Sequence, residues 1–426
     1  MSMLPDEEDL GDGLILRTVR DERDVEGFAA LNDTIGEGQG ITCSSLLRHH
    51  PEIHYRDFLL VEDTRRGEVV STTCLIPWHC RYEHIPIEVA MLEMVMTHPD
   101  YRHHGLIRAQ VKRFHRMVCE RDYDLSIIEG IPYYYRQYGY AYAVDHRAYD
   151  TLPLSRIPEE REGRASAYRL RPATVADIGA LTELCVRAAA AEQIADVRGA
   201  EHWRYLLEWA HYPVRMVERR ADGHPAGYIV PLRMRREQGT RVLESAIMSH
   251  EVALAVLHQL KAEGGAELHL SWSPRGSLVQ TARSLGSTPL PAYYQWLLRI
   301  TDVGRFLRVI GPVLEGRLAK SDCAGLSAEL CLNLFREAYA LSFREGKLLR
   351  AEAVGFVDSS MGADGGDLCI PPEAFVRLVI GYRALDELRD AWPDIVWRDS
   401  SRHWLDVLFP KMDSWLRMPY MVLPEQ

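Results

Sequence analysis

Residues 91–112 read MLEMVMTHPDYRHHGLIRAQVK, and the fold depends on how that run divides. Residues 92–97 form an apolar strand, His98-Pro99 opens a tight turn, a short basic loop holds one glycine, Gly105, and an amphipathic helix follows. Such a junction makes an anion site, because the first amides of a helix lack intrahelical acceptors and the helix dipole adds positive potential there. The helix carries Ile107, Val111, Phe114 and Val118 at spacings of four, three and four, which predicts one buried face. Arg108, Lys112, Arg113 and Arg116 are then expected on the wet face.

Upstream, residues 14–20 read as a strand and 23–34 as a helix with Val25, Phe28, Ala29 and Leu31 on its apolar side. A polar, glycine-rich stretch (37–40) leads to a short helix at 44–49. Apolar runs 58–62 and 68–77 flank Arg65-Arg66-Gly67 as a hairpin, and 85–97 extends it into a meander. Downstream comes a strand at 124–130, then a stretch holding six tyrosines between Tyr133 and Tyr142, then a strand ending near Tyr149. Mixed strands with crossover helices are α/β or α+β.

Residues 151–163, TLPLSRIPEEREG, are charged and proline-bearing and are expected to be a linker. Beyond them the chain restarts: Leu170-Arg171 followed by Asp177-Ile178 echoes Leu16-Arg17 followed by Asp24-Val25. The second copy has its own hairpin (214–218 and 227–234), strand (242–248), helix (251–262) and strand (266–272). Its strand enters the helix through Ser249-His250 alone, so the basic glycine turn is missing. From residue 302 helices and short strands make a third, α+β unit, and the apolar tail 418–426 is expected to dock. The units are read as 14–150, 164–301 and 302–415, with a tail at 416–426.

Composition sets the limits. A chain of 426 residues with 47% hydrophobic and 26% charged content builds sizeable cores in several domains. A net charge of −11 argues against a nucleic-acid surface and suits cationic partners. The eight cysteines form no C-x-x-C and no pattern with nearby histidines, which fits reduced thiols and predicts neither a disulfide framework nor a metal site. The acidic N-terminus is no signal peptide and no apolar run reaches membrane-spanning length, so a cytoplasmic protein without membrane partners is expected.

The loop is neither a Walker motif nor G-x-G-x-x-G. Residues 97–107, with Arg102, Gly105, Leu106 and Ile107, resemble the acetyl-coenzyme A motif of the GNAT N-acetyltransferases. The R-x-x-G-L-I-R version is similar to the tandem-GNAT enzymes of the enhanced intracellular survival (Eis-like) type. That resemblance implies two GNAT-fold domains, the second degenerate, followed by a sterol-carrier-protein-like α+β domain, a layout covering nearly the whole chain. It also implies hexamers and no metal.

On this resemblance the pantetheine of acetyl-coenzyme A lies along Met94, Val95, Met96 and Thr97. The pyrophosphate is held by the amides of Arg102, His103, His104, Gly105, Leu106 and Ile107. Tyr135, four residues before Gly139 of a Gly-Tyr pair, is the implied acid that protonates the departing thiolate; the remaining tyrosines read as packing. Two carboxylates compete for general base: Glu93, which reads also as a surface or salt-bridged strand residue, and, as the resemblance implies, the terminal carboxylate on Gln426. Asp33 and Glu37 read either as cleft charges or as plain loop residues, and His98, His103 and His104 as structural or phosphate-proximal. The expected activity is acetyl transfer to a primary amine of a cationic small molecule, aminoglycoside-like or polyamine-like, or of lysine. A binding protein with a vestigial site is the alternative.

Overall fold

The computed structural model describes residues 7–34, 38–146, 149–160, 166–234, 239–271, 276–290, 294–358 and 365–420. The first unit runs β1 (Glu7–Gly11), β2 (Leu14–Thr18), α1 (Glu22–Asp33), α2 (Gln39–His49), β3 (Phe58–Asp63), β4 (Glu68–Tyr82), β5 (Ile85–Thr97), α3 (Leu106–Glu120), β6 (Leu125–Ile128) and β7 (Ala141–His146). Part of the acidic leader is therefore a strand, β1, paired with β2.

The second run is β8 (Tyr149–Pro153), β9 (Tyr168–Pro172), α4 (Ile178–Ala188), β10 (Ile194–Asp196), α5 (Ala200–Glu208), β11 (Arg215–Arg219), β12 (Pro225–Met234), β13 (Gly239–Ile247), α6 (His250–Ala262), β14 (Glu267–Ser271), α7 (Ser277–Ser284), β15 (Thr288–Leu290) and β16 (Tyr294–Ile300). The third is α8 (Val303–Val309), α9 (Gly311–Ala319), β17 (Ala328–Asn333), β18 (Ala338–Arg344), β19 (Lys347–Gly355), β20 (Leu368–Cys369), α10 (Pro372–Val379), α11 (Leu385–Ala391), β21 (Val396–Trp397) and α12 (Arg402–Leu408). Its strands form one sheet in the order β19-β18-β17-β20-β21.

Sheet membership does not follow chain order. The first sheet runs β1-β2-β3-β4-β5-β6-β16-β7, so β16 from the end of the second run is wedged between β6 and β7. The second runs β15-β8-β14-β13-β12-β11-β9, so β8 is wedged between β14 and β15. The second run thus lends β16 to the first sheet, and its β10 also pairs with the far half of β4. The expected linker is thus in part a sheet strand, since Thr151, Leu152 and Pro153 belong to β8. Leu152 is fully buried and Leu154 and Ile157 nearly so. Its charged half hides a short apolar one.

The internal echo is a matched pair of ion clusters. Arg17 donates from both terminal nitrogens to Asp24, at 2.6 and 2.8 Å, and also reaches Glu62. Arg171 does the same with Asp177, at 2.8 and 2.7 Å, and with Glu218. Each ties a first strand to the start of its first helix, a bidentate geometry that only Arg supplies.

Candidate active site

β4 and β5 pair along their length except at one bulge, where Met94 and Val95 face the single residue Thr73 and Met94 takes a φ of 53°. The carbonyls around the bulge are satisfied by hydroxyls of β4: Thr73 donates to Glu93 O, Thr72 to Met94 O, and Ser71 to Met96 O. Glu93 holds the bulge from within, its Oε2 accepting the Met94 amide at 3.1 Å. On its other side β5 runs parallel to β6 only from Val89 to Met91, paired with Leu125 to Ile127. Past that point the strands part, and a cleft opens at their C-terminal ends, where ligands of α/β sheets sit.

The turn after β5 is pinned by Tyr101, whose hydroxyl donates to Asp63 at 2.7 Å, and by the Asp100 amide on His98 Nδ1. His103 and Gly105 both have positive φ, 68° and 74°, and Gly105 is the N-cap of α3. Arg102, His103, His104 and Gly105 are exposed, Leu106 is buried and Ile107 half-buried. A Cβ at Gly105 would meet open space, so the helix start faces an unobstructed surface. The Ala109 amide bonds Gly105 O, while those of Leu106, Ile107 and Arg108 have no backbone acceptor. The Arg102 amide is engaged, bonded to Pro99 O, so it does not join the anion-facing set. Arg113 is a further correction: it is buried and donates to Leu16 O, because the α3 face turned to the sheet is wider than four residues.

In the second unit the corresponding helix, α6, is capped by Ser249, whose Oγ accepts the Val252 amide at 3.2 Å. A side chain thereby occupies the place that the first unit leaves open.

Tyr135 lies in a short 3-10 turn, Tyr134–Tyr138, and is 5% exposed. Its ring is seated on Gly130, between Tyr134 at 5.1 Å and Tyr140 at 6.3 Å between centroids. Burial, and then the Glu93 charge, push its hydroxyl well above the usual tyrosine range. The carboxylate expected on the strand is thus close enough for its charge to bear on the tyrosine expected from the motif. The 3-10 turn is tied to the third unit by Arg136, 3.1 Å from Glu373.

The tail reaches the same cleft. Trp415 donates its amide to Ile194 O, Arg198 donates to Met418 O, and His202 bonds Pro419 O at 2.5 Å. Arg417 is buried, with its Nε and amide on Asp196 Oδ1 at 2.8 and 3.0 Å. Tyr420 then sits 8% exposed; burial first, then the charges of Glu93, Cys74 and Glu129, raise its hydroxyl. Gln426 and Glu37 lie outside the described residues. Asp33 accepts the Gly40 amide at 2.6 Å, tying the end of α1 to the start of α2.

Sequence reasoning missed Glu129, His146, Tyr420, and the contact of Asp322 and Cys323 with His403. Glu129 follows the apolar run of β6 at the strand's C-terminal end, a position that could have drawn notice. The others come together only by tertiary pairing. The ligand atoms of Asp322, Cys323 and His403 lie within 4.8 Å of one another on the third unit, where the sequence showed no such pattern.

Residues 36–143 match the family model for an acetyltransferase (GNAT) domain. No curated protein matches the chain. Among solved structures, a probable N-acyltransferase of Enterococcus faecalis aligns with a TM-score of 0.71 at 14% identity, covering 95% of this chain and 99% of that chain. A GCN5-related N-acetyltransferase from Anabaena variabilis gives 0.70 at 15% identity, covering 96% and 100%. Eis1 from Mycobacterium abscessus gives 0.64 at 16% identity, covering 95% and 99%. The fold is therefore shared along nearly the whole chain. The domain match on the cleft just described makes this chain an acetyltransferase.

Proposed function

We propose that the chain transfers the acetyl group of acetyl-coenzyme A to a primary amine of a cationic small molecule, aminoglycoside-like or polyamine-like, or of lysine. The observation that carries this reading is that the open helix start at Gly105 and the buried Tyr135 border the two sides of one cleft, where β5 loses its partner.

The residues present fit the coenzyme. Met94, Val95, Met96 and Thr97 lie beyond the last pair of β5 with β6, on the stretch where an amide-bearing pantetheine chain would run. The amides of His103 to Arg108 face the pyrophosphate, with Arg108 and Lys112 exposed beside them. Tyr135 keeps its proton until a thiolate appears and then donates it, an effect typically worth about 10²–10⁴-fold. Holding both reactants in the cleft supplies the rest. Glu93, the base suggested by the strand, accepts the Met94 amide at 3.1 Å.

The net charge of −11 favours a cationic acceptor. Assembly into hexamers and a sterol-carrier-like role for the third unit belong to this proposal on the sequence resemblance alone. Calorimetry with acetyl-coenzyme A, followed by free-thiol release across a panel of amines, tests it. Saturable binding and amine-dependent thiol release are expected, and a protein that binds no acetyl-coenzyme A overturns it.

A further inference from the structure

We infer that Glu129, backed by His146, is the acceptor-side cation site and takes the proton that the amine must lose. The inference rests on the N-acetyltransferase reading above and adds a residue to it.

Strand alternation places the group. On β6, Leu125 and Ile127 join the core that contains Phe28 of α1 and Cys43 of α2, whereas Ile128 joins the core beneath α3. Ser126 also points to the α3 side, with its hydroxyl 2.6 Å from that of Tyr140, which in turn meets His115 of α3. Glu129 continues the row of Leu125 and Ile127, on the face opposite the coenzyme's helix. It lies two residues beyond the last pair of β5 with β6, Met91 with Ile127, where the strands have parted. An amine reaching the thioester from the α1/α2 side therefore meets Glu129 as it enters the gap.

The surroundings suit a cation. The Glu129 side chain is 10% exposed, and its Oε2 lies 3.4 Å from His146 Nε2, across the intervening strand β16. The His146 ring packs on Trp296 at 4.5 Å between centroids, which fixes its orientation. The charges of Glu129 and Glu93 both bear on Tyr420, and that of Glu93 on Tyr135. Next in the chain is Gly130, on which Tyr135 is seated. An ammonium held there gains charge pairing and ring contact together.

The protons balance. An alkylammonium, with a pKa near ~10.4, carries three protons on nitrogen and the product amide carries one. Glu129 takes the first proton and His146 relays it to solvent. The nitrogen lone pair then attacks the acetyl carbon and the C–S bond breaks. Tyr135 protonates the departing thiolate, and the second nitrogen proton, lost as the amide forms, restores the Tyr135 hydroxyl. The net products are the amide, the thiol and one proton.

The test uses the full chain, with spermidine as the acceptor probe. Acetyl-coenzyme A affinity is measured by calorimetry and turnover by thiol release, for wild type, Glu129→Gln, Glu129→Asp and His146→Gln. Glu129→Gln should keep coenzyme affinity within about threefold and lose roughly 10²-fold in kcat/KM for spermidine, with kcat falling as well as KM rising. Glu129→Asp should recover part of that loss, and His146→Gln should lower kcat with less effect on KM. Wild type that binds no acetyl-coenzyme A brings down the enzyme reading and this inference together. Wild type that binds it yet neither binds nor acetylates spermidine overturns the cation site. So does Glu129→Gln working at the wild-type rate, and either result leaves the enzyme reading standing.

Discussion

Gly130 and Tyr135 are in direct contact: a Cβ built on Gly130 would overlap Cδ2 and Cε2 of the Tyr135 ring. The glycine is there to seat the ring, not for any backbone freedom, and the seat fixes where the hydroxyl points. Gly130→Ala should therefore act as a Tyr135 variant. The ring must shift, so kcat should fall by roughly the 10²-fold of a lost acid while acetyl-coenzyme A affinity holds. Tyr135→Phe should give the same split without the displacement. Thiol-release kinetics beside calorimetry check both, and unchanged turnover in Tyr135→Phe would remove its acid role.

At the other end of the cleft, Gly105 adopts a φ of 74° over open space. Gly105→Ala places only a methyl group there and adds backbone strain of about 1 kcal/mol. Gly105→Glu adds a negative charge where the helix start attracts anions. Coenzyme affinity should weaken modestly in the first and be lost in the second. Retained affinity in Gly105→Glu would place the pyrophosphate elsewhere.

Arg417 anchors the tail through Asp196, Tyr228 and Cys185, all buried. Arg417→Met leaves the Asp196 carboxylate with Arg198 alone, its Nε at 3.4 Å. Breaking a buried pair from one side typically costs about 3–5 kcal/mol. A lower Tm is expected by calorimetric scanning, with part of it restored by adding Asp196→Asn. Because the tail carries Tyr420 into the cleft, the amine KM should rise too.

Four histidines contribute to the pH dependence of stability. Burial lowers His50 and His115 to about 3 and His202 to about 4, from 6.5. The unfolded chain binds their protons first, so stability falls as pH drops from 6.5 toward 4. His79 is raised to about 8, chiefly by its hydrogen bond with Glu52, and its contribution is complete below 6.5 and fades as pH rises through 8. Thermal melts should therefore peak near pH 6.5. His79→Gln should flatten only the alkaline limb, and His50→Asn should reduce the acidic one.

What lay within some twenty residues of chain was legible in the sequence. The basic glycine turn, the helix it starts and the Arg-Asp echo all follow from local rules, whereas Tyr135 is singled out only by the resemblance its spacing to Gly139 carries. Amide polarity at a helix start, a 3.6-residue period and bidentate ion geometry act between near neighbours. Tertiary structure decided what those rules leave open. Leu297 pairs with Ile128, so β16 of the second run enters the first sheet, and Leu152 pairs with Leu268, so the expected linker enters the second, because an apolar strand's register is chosen by whichever distant edge buries it. The same long-range pairing brings Glu129 to His146 and Arg417 to Asp196, and it carries Tyr420 into a cleft first seen only as an anion site.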